Sequence, residues 1–149
     1  MNIKIADAND DHLDAVNGLV HEWGYAVTKP QVRLWLEAIL QSPNHAMFVG
    51  FVDALAAGWL VVERRISLDS VYNSEITGLV VGADFRRLGV GQRLVSAAED
   101  WSQARGLSSV VVRSNITRVE SHEFYPSLGY ELKKTSRVYA KRLHTDRTN

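Results

Sequence analysis

The chain contains no cysteine. Disulfides, thiolate metal sites and an acyl-cysteine intermediate are therefore excluded, and nothing points to an oxidising compartment. An excess of charge is missing too: 17 Lys and Arg balance 17 Asp and Glu. Nothing argues for a nucleic-acid partner held by bulk electrostatics. The opening Met-Asn-Ile-Lys-Ile-Ala-Asp lacks the apolar run of a signal peptide. No segment approaches the ~20 apolar residues that span a bilayer. A cytoplasmic protein with no membrane partner is the expectation. Internal repeats, low-complexity tracts and linkers are absent as well, and 149 residues suit one domain, 1–149, with a sizeable core.

What is there centres on Glu75 to Gly106. Residues 75–81 form an apolar, β-branched run with Gly78 inside it, which reads as a buried strand. Gly82-Ala-Asp84 supplies turn residues. Val90, Leu94, Ala97, Ala98 and Trp101 then recur at helical spacing, and Gly106 sits where that helix would end. Between strand and helix lies Arg86-Arg87-Leu88-Gly89-Val90-Gly91. A helix N-terminus presents unpaired N–H groups and the positive end of a dipole. Glycines at 89 and 91 let the backbone approach an anion closely, and two arginines add positive charge. A pyrophosphate suits that corner; a tight turn with solvated arginines is the bland alternative. Neither Gly-x-Gly-x-x-Gly nor a P-loop Gly-Lys-Ser/Thr ending occurs.

Arg86-x-x-Gly89-x-Gly91 behind this strand resembles the acyl-CoA-binding motif of the GNAT N-acetyltransferase superfamily. Asn115-Ile-Thr-Arg-Val-Glu-Ser-His-Glu-Phe-Tyr-Pro-Ser-Leu-Gly-Tyr130 is similar to the family's Asn…Phe-Tyr-x-x-Leu-Gly-Phe segment. The two matches come in the family's order and spacing, and weaker similarity covers most of the chain. The resemblance implies an α/β fold with a mixed, mostly antiparallel sheet of six to seven strands. It also implies a central parallel pair and about four flanking helices.

The flanking segments read as follows. Ile3 and Ile5 alternate with polar residues as a first strand. An aspartate among residues 7–11 is expected to cap a helix lined by Leu13, Val16, Leu19, Val20 and Trp23, with Gly24 near its end. Thr28 caps a second helix, with Pro30 in its first turn and Val32, Trp35, Leu36, Ile39 and Leu40 on one face. Residues 46–52 and 56–62 read as a hairpin around Asp53-Ala-Leu, and 64–73 as a loop or ragged hairpin end. The apolar run 109–113 is expected as a strand buried on both faces and parallel to 75–81. Thr117-Arg-Val-Glu120 fits a capping box for a short helix that Pro126 should end. Residues 133–142 are expected to close the sheet, and the tail beyond Leu143 reads as frayed.

Acetyl transfer to an amine requires loss of the amine proton, donors for the developing oxyanion and, for the departing thiolate, an acid. Glu75 is the first choice for the base, since the resemblance implies a water-relaying glutamate in this region; a solvated or ion-paired glutamate is the alternative. Tyr125 is the candidate acid, because the family's Phe-Tyr motif carries a tyrosine facing the thioester sulfur, against a buried packing aromatic. The resemblance implies that the pantetheine arm of acetyl-CoA runs along Leu79, Val80 and Val81. A backbone N–H of Leu79 or Val80 would polarise the thioester carbonyl. Arg86, Arg87, Leu88, Gly89, Val90, Gly91 and Gln92 would take the pyrophosphate, with Asn115 and Ser121 as further cofactor contacts. Asn115 also reads as a turn cap. Gly78 suggests a bulge or a close backbone approach.

For the acceptor, the resemblance points to the first two helices and nearby loops: Glu22, Trp23 and Tyr25, with Trp35 and the 64–73 loop. Trp23 and Trp35 read equally as core, and Glu22 and Asp69 as attractors of a cationic amine. The five histidines show no ligand spacing, so no metal is expected. With no thiol to carry the acyl group, direct transfer from acetyl-CoA to a primary amine is favoured, with a small molecule ahead of a protein acceptor. A homodimer is entertained as a partner, and a non-catalytic acyl-CoA-binding or sensory module is the competing function.

Overall fold

Antiparallel hairpins set the architecture. The computed structural model describes residues 1–113 and 119–144, with backbone only at 119–121. The chain divides into two units, Met1–Arg113 and Ser114–Asn149. The first holds, in order, β1 (Ile3–Asp7), α1 (Leu13–Glu22), α2 (Lys29–Gln41), β2 (His45–Val52), β3 (Leu55–Ser67), β4 (Val71–Val81), α3 (Val90–Ala104) and β5 (Val110–Val112). Its sheet has the order β1-β2-β3-β4-β5, antiparallel except for the β4–β5 pair.

Asp53 and Ala54, both at positive φ (48° and 73°), turn β2 into β3. This two-residue turn has the twist that flanking strands favour. The β3–β4 hairpin is longer than the sequence suggested. Instead of a loop at 64–73, β3 runs on to Ser67 and β4 restarts at Val71. Cross-strand contacts stabilise this extension where no core lies beneath it: the Arg64 guanidinium sits 4.3 Å from the centroid of the Tyr72 ring. Glu75 consequently lies within β4 rather than at its start.

The bulge expected at Gly78 is present. Val62 pairs with Ile76 and Val61 with Gly78, leaving Thr77 as the extra residue. A Cβ on residue 78 would lie 2.6 Å from Cζ3 of Trp59, so glycine is what lets that indole approach β4 so closely. On this face Met47, Val49, Trp59, Val61 and Val80 meet Val16, Leu19 and Val20 of α1 and Val32, Leu36 and Ile39 of α2. The opposite face carries α3, whose Val90 and Leu94 pack over Gly50. There the Ser102 hydroxyl donates to the Ala98 carbonyl (2.8 Å), which leaves its oxygen to accept from the Ser74 hydroxyl (2.5 Å), both residues being buried.

The entry to α1 departs from expectation. Asn9, not an aspartate, is the cap: its side chain accepts from the Asp11 N–H while His12 Nδ1 accepts from the Asn9 N–H. The chain enters α1 through a short 3-10 turn at residues 10–12, so the orphan donors lie one turn earlier. Thr28 caps α2 reciprocally with Gln31, and Pro30 occupies the first turn, as read.

The second unit contains α4 (Val119–Ser127), with Pro126 inside its last turn and Gly129 at φ 92° beyond it. The helix thus runs one residue past the proline that was expected to end it. Residues 131–144 carry no strand. Val138 and Tyr139, the large apolar residues of 133–142, are adjacent and would point to opposite faces of a strand, so no single face could be buried. They are 89% and 84% exposed. Among the described residues the sheet therefore has five strands instead of six to seven. The parallel pair closes the strand order rather than sitting at its centre. β5 likewise is not buried on both faces, since Val111 is exposed.

Candidate active site

The strand-to-helix corner forms as the sequence suggested. β4 ends at Val81, a 3-10 turn covers Ala83–Phe85, and α3 starts at Val90. Gly89 is its N-cap at φ 94°, with no side chain capping the helix. The first intrahelical bond there runs from the Arg93 N–H to the Gly89 carbonyl (3.1 Å), so the N–H groups of 90–92 lack helical acceptors. Arg87 also has positive φ, 63°. Arg86 and Arg87 are both exposed. Positive charge, unpaired donors and a side-chain-free cap converge, which is what a phosphate needs.

β4 has two different neighbours along its length. β3 pairs with it from Val71 to Val81, whereas β5 pairs only with Ser74, Glu75 and Ile76. From Thr77 to Val81 the second edge of β4 has no strand partner among the described residues. An extended chain could hydrogen-bond there as an added strand. Leu79, Val80 and Val81 lie on this stretch.

A cavity of about 390 Å³ opens on the α1/α2 face beside the same stretch. Tyr25 and Val27 line it from the α1–α2 connection, and Val20, Gln31, Val32 and Trp35 from the helices. Trp59 and Val61 of β3, with Thr77 and Gly78 of β4, form its floor. Trp35 and Trp59 meet edge to face, their centroids 5.3 Å apart. Sequence reasoning reached Tyr25 and Trp35 but missed Trp59, Val27, Gln31 and Thr77. The glycine within β4 was the available signal, since it marks where the Trp59 indole approaches.

Other acceptor candidates are used differently. One oxygen of Glu22 accepts the Ala83 N–H at 2.6 Å. Trp23 Nε1–H donates to the Val81 carbonyl at 2.9 Å, and the Arg86 guanidinium lies 5.4 Å from the Trp23 ring centroid. These two residues thus tie the end of α1 to the end of β4. Neither they nor any residue of the 64–73 hairpin line the cavity.

Glu75 is 7% exposed. Its Oε1 accepts from Arg65 Nη1 (3.0 Å) and from Arg113 Nε (3.2 Å). Its register partner is Glu63, which pairs with His45 Nε2 at 3.1 Å. Glu75 thus joins β3, β4 and the residue following β5 through one carboxylate.

In the second unit, Tyr125 packs against Phe124 (centroids 5.0 Å apart) and Tyr130 (6.0 Å). Burial pushes its phenol from 10.0 up to about 12. Its carbonyl accepts from the N–H groups of Leu128 and Tyr130. Asn115 and the Thr117 cap lie outside the described residues, as does the Ser121 side chain. Among the described residues no cluster of acidic and histidine side chains could hold a metal, and no helix is long and apolar enough to cross a membrane.

Known proteins share this fold. The model of the Acetyltransferase (GNAT) family matches residues 13–130. An uncharacterized N-acetyltransferase, YhdJ, of Bacillus subtilis (strain 168) is 29% identical over 90 residues, 60% of this chain and 63% of that protein. The aminoglycoside N(6')-acetyltransferase type 1 of Serratia marcescens is 25% identical over 139 residues, covering 90% and 94% of the two chains. Among solved structures, aminoglycoside N-acetyltransferase AAC(6')-Iy in complex with CoA superposes with a TM-score of 0.87 at 24% identity, covering 95% of this chain and 96% of that one. The chain belongs to the acetyltransferase (GNAT) family.

Proposed function

We propose that this protein is an acetyl-CoA-dependent N-acetyltransferase that acts by direct transfer on a primary amine of a small molecule. One observation carries the reading: an uncapped helix N-terminus flanked by two exposed arginines follows a strand whose second edge, among the described residues, has no strand partner from Thr77 to Val81. The family match runs from residue 13 in the first unit to residue 130 in the second, and we take the two units to act as one transferase domain.

The residues divide the work by their chemistry. The N–H groups at the start of α3, with Gly89, Gly91 and Gln92, receive the pyrophosphate, and Arg86 and Arg87 neutralise its charge. The second edge of Leu79–Val81, where the Val81 carbonyl already accepts from Trp23 Nε1–H, holds the pantetheine arm through its remaining backbone groups, and a backbone N–H there polarises the carbonyl. Acetyl-CoA supplies the acyl group as a thioester. The acceptor nitrogen forms the new C–N bond as the C–S bond breaks, and the bonding pair leaves with sulfur. The ammonium proton passes to water. Tyr125, which holds its own proton, donates a hydrogen bond to the departing thiolate. Asn115 and Ser121 retain their proposed cofactor contacts. Tyr25 and Trp35 face the acceptor in the cavity, while Glu22 and Trp23 hold that wall in place from behind.

Gly91→Val tests the cofactor half. A β-branched side chain in the first turn of α3 obstructs the approach of a phosphate while leaving the far side of the helix packed. Acetyl-CoA affinity measured by calorimetry should fall roughly tenfold or more. Unchanged affinity in the folded variant would remove the turn from cofactor binding. Thiol release from acetyl-CoA across an amine panel tests the transfer half; binding without release would favour the non-catalytic module.

A further inference from the structure

Among the described residues, the acceptor cavity is lined by no charged side chain. Its lining consists of three aromatic rings (Tyr25, Trp35 and Trp59), four valines, Gln31, Thr77 and Gly78. None of these carries a carboxylate. The acidic residues that the sequence offered lie elsewhere: Glu22 accepts the Ala83 N–H, Glu75 is held by two arginines, and Asp69 is not among the lining residues. A polycationic acceptor would have to shed water from several ammonium groups against a wall that returns no opposite charge. An aromatic or branched apolar body gains what the wall offers, which is ring edges, methyl groups and shape. At about 390 Å³ the space suits a one- or two-ring amine. Two of the polar lining groups, Thr77 and the backbone at Gly78, lie on β4 where its second edge loses its strand partner. An amine on a short tether from the ring system would therefore reach the strand along which the thioester is proposed to lie.

We infer that the acceptor is a monoamine with an aromatic or bulky apolar body, rather than a polycationic aminosugar. The inference rests on the transferase reading and concerns the chemical class that the site selects. It sets this chain apart from relatives named as aminoglycoside acetyltransferases, with which it shares the fold.

The test compares 2-phenylethylamine and tryptamine with neamine on the full-length protein. It measures thiol release from acetyl-CoA and, separately, binding to the protein with CoA present by calorimetry. kcat/KM for the arylalkylamines should exceed that for neamine by tenfold or more. Trp35→Ala should raise KM for 2-phenylethylamine about tenfold, with a much smaller change in kcat. Trp35 is 37% exposed, so its truncation leaves the core in place. Gln31→Glu retains the acceptor that caps the Thr28 N–H and adds a carboxylate to the wall. That variant should shift the ratio toward neamine. Acetylation of neamine with equal or better kcat/KM would overturn the inference while leaving the transferase reading intact. Binding of arylalkylamines with no thiol release from any amine would uphold the cavity's chemistry and sink the transferase reading. Failure of the arylalkylamines to bind would overturn the inference outright.

Discussion

At the residue scale, Glu75 and Tyr125 carry the sharpest tests. Glu75 was legible as a conspicuous carboxylate, but its partners were not. Arg65 is ten positions away and Arg113 thirty-eight, and only the sheet brings them together. We expect Glu75→Gln to destabilise the fold by about 1–3 kcal/mol, because both guanidinium groups lose a charged acceptor. Solvent at the half-exposed arginines should keep the loss near the lower end. Its kcat/KM deficit should be the same at every pH, as a positioning residue requires. A deficit largest at low pH, shrinking toward the amine's own pKa, would instead make Glu75 the base.

Tyr125 lends itself to two measurements. Tyr125→Phe keeps the contacts with Phe124 and Tyr130 and removes the hydroxyl. Acetyl-CoA affinity should hold while kcat falls about 10²-fold; a wild-type kcat would take the tyrosine out of the chemistry. The second measurement follows from burial, which raises the phenol from 10.0 to about 12 in the folded state. A raised folded pKa favours the protonated form, so its contribution to stability is complete below about pH 10. It is lost as pH climbs from there through about 12. Urea midpoints at about pH 9 and about pH 11 should therefore differ less in Tyr125→Phe than in wild type.

At the scale of elements, the seam between α3 and β4 depends on a directed pair of hydroxyls. Ser102 gives its proton to the Ala98 carbonyl, so it can only accept from Ser74. Ser102→Ala should leave the buried Ser74 hydroxyl without an acceptor, at a cost of about 1–3 kcal/mol. The double variant Ser74→Ala/Ser102→Ala should cost less than the sum of the single ones, as coupled partners do. Strictly additive losses in urea denaturation would mean that the hydroxyls act independently. Helix caps and hairpin turns, by contrast, needed no tertiary information. Thr28 caps α2 with Pro30 in its first turn, as their spacing announced, and Asp53-Ala54 turns where the apolar runs break. Those signals are short-range, so nearby residues suffice.

For the whole molecule, a ligand that binds only the folded state adds its binding energy to stability. CoA at about 100 times its Kd should add about 2.7 kcal/mol and raise Tm by roughly 5–10 °C. Gly91→Val, with affinity weakened tenfold or more, should lose about half of that increment or more at the same CoA concentration. An equal increment in the variant would place CoA away from the α3 corner.

By itself the sequence determined the α/β alternation, the glycine and arginine corner, the family motifs and the glycine bulge in β4, because each is a pattern over neighbouring residues. The expected strands at 133–142 show where such patterns fail: loose alternation without two apolar residues on one face specifies no pairing. Tertiary structure alone decided that Glu75 is held by two arginines, that Glu22 and Trp23 bind the backbone at the end of β4 and in the turn after it, and that β5 stops at Ile76, leaving the second edge of β4 from Thr77 to Val81 without a strand partner among the described residues. It also decided the cavity, lined by no charged side chain among the described residues, where Tyr25, Trp35, Trp59 and Thr77 converge from three elements and a connection. Those relations depend on register and packing between segments distant in the chain, and local spacing carries no record of which distant side chain will arrive.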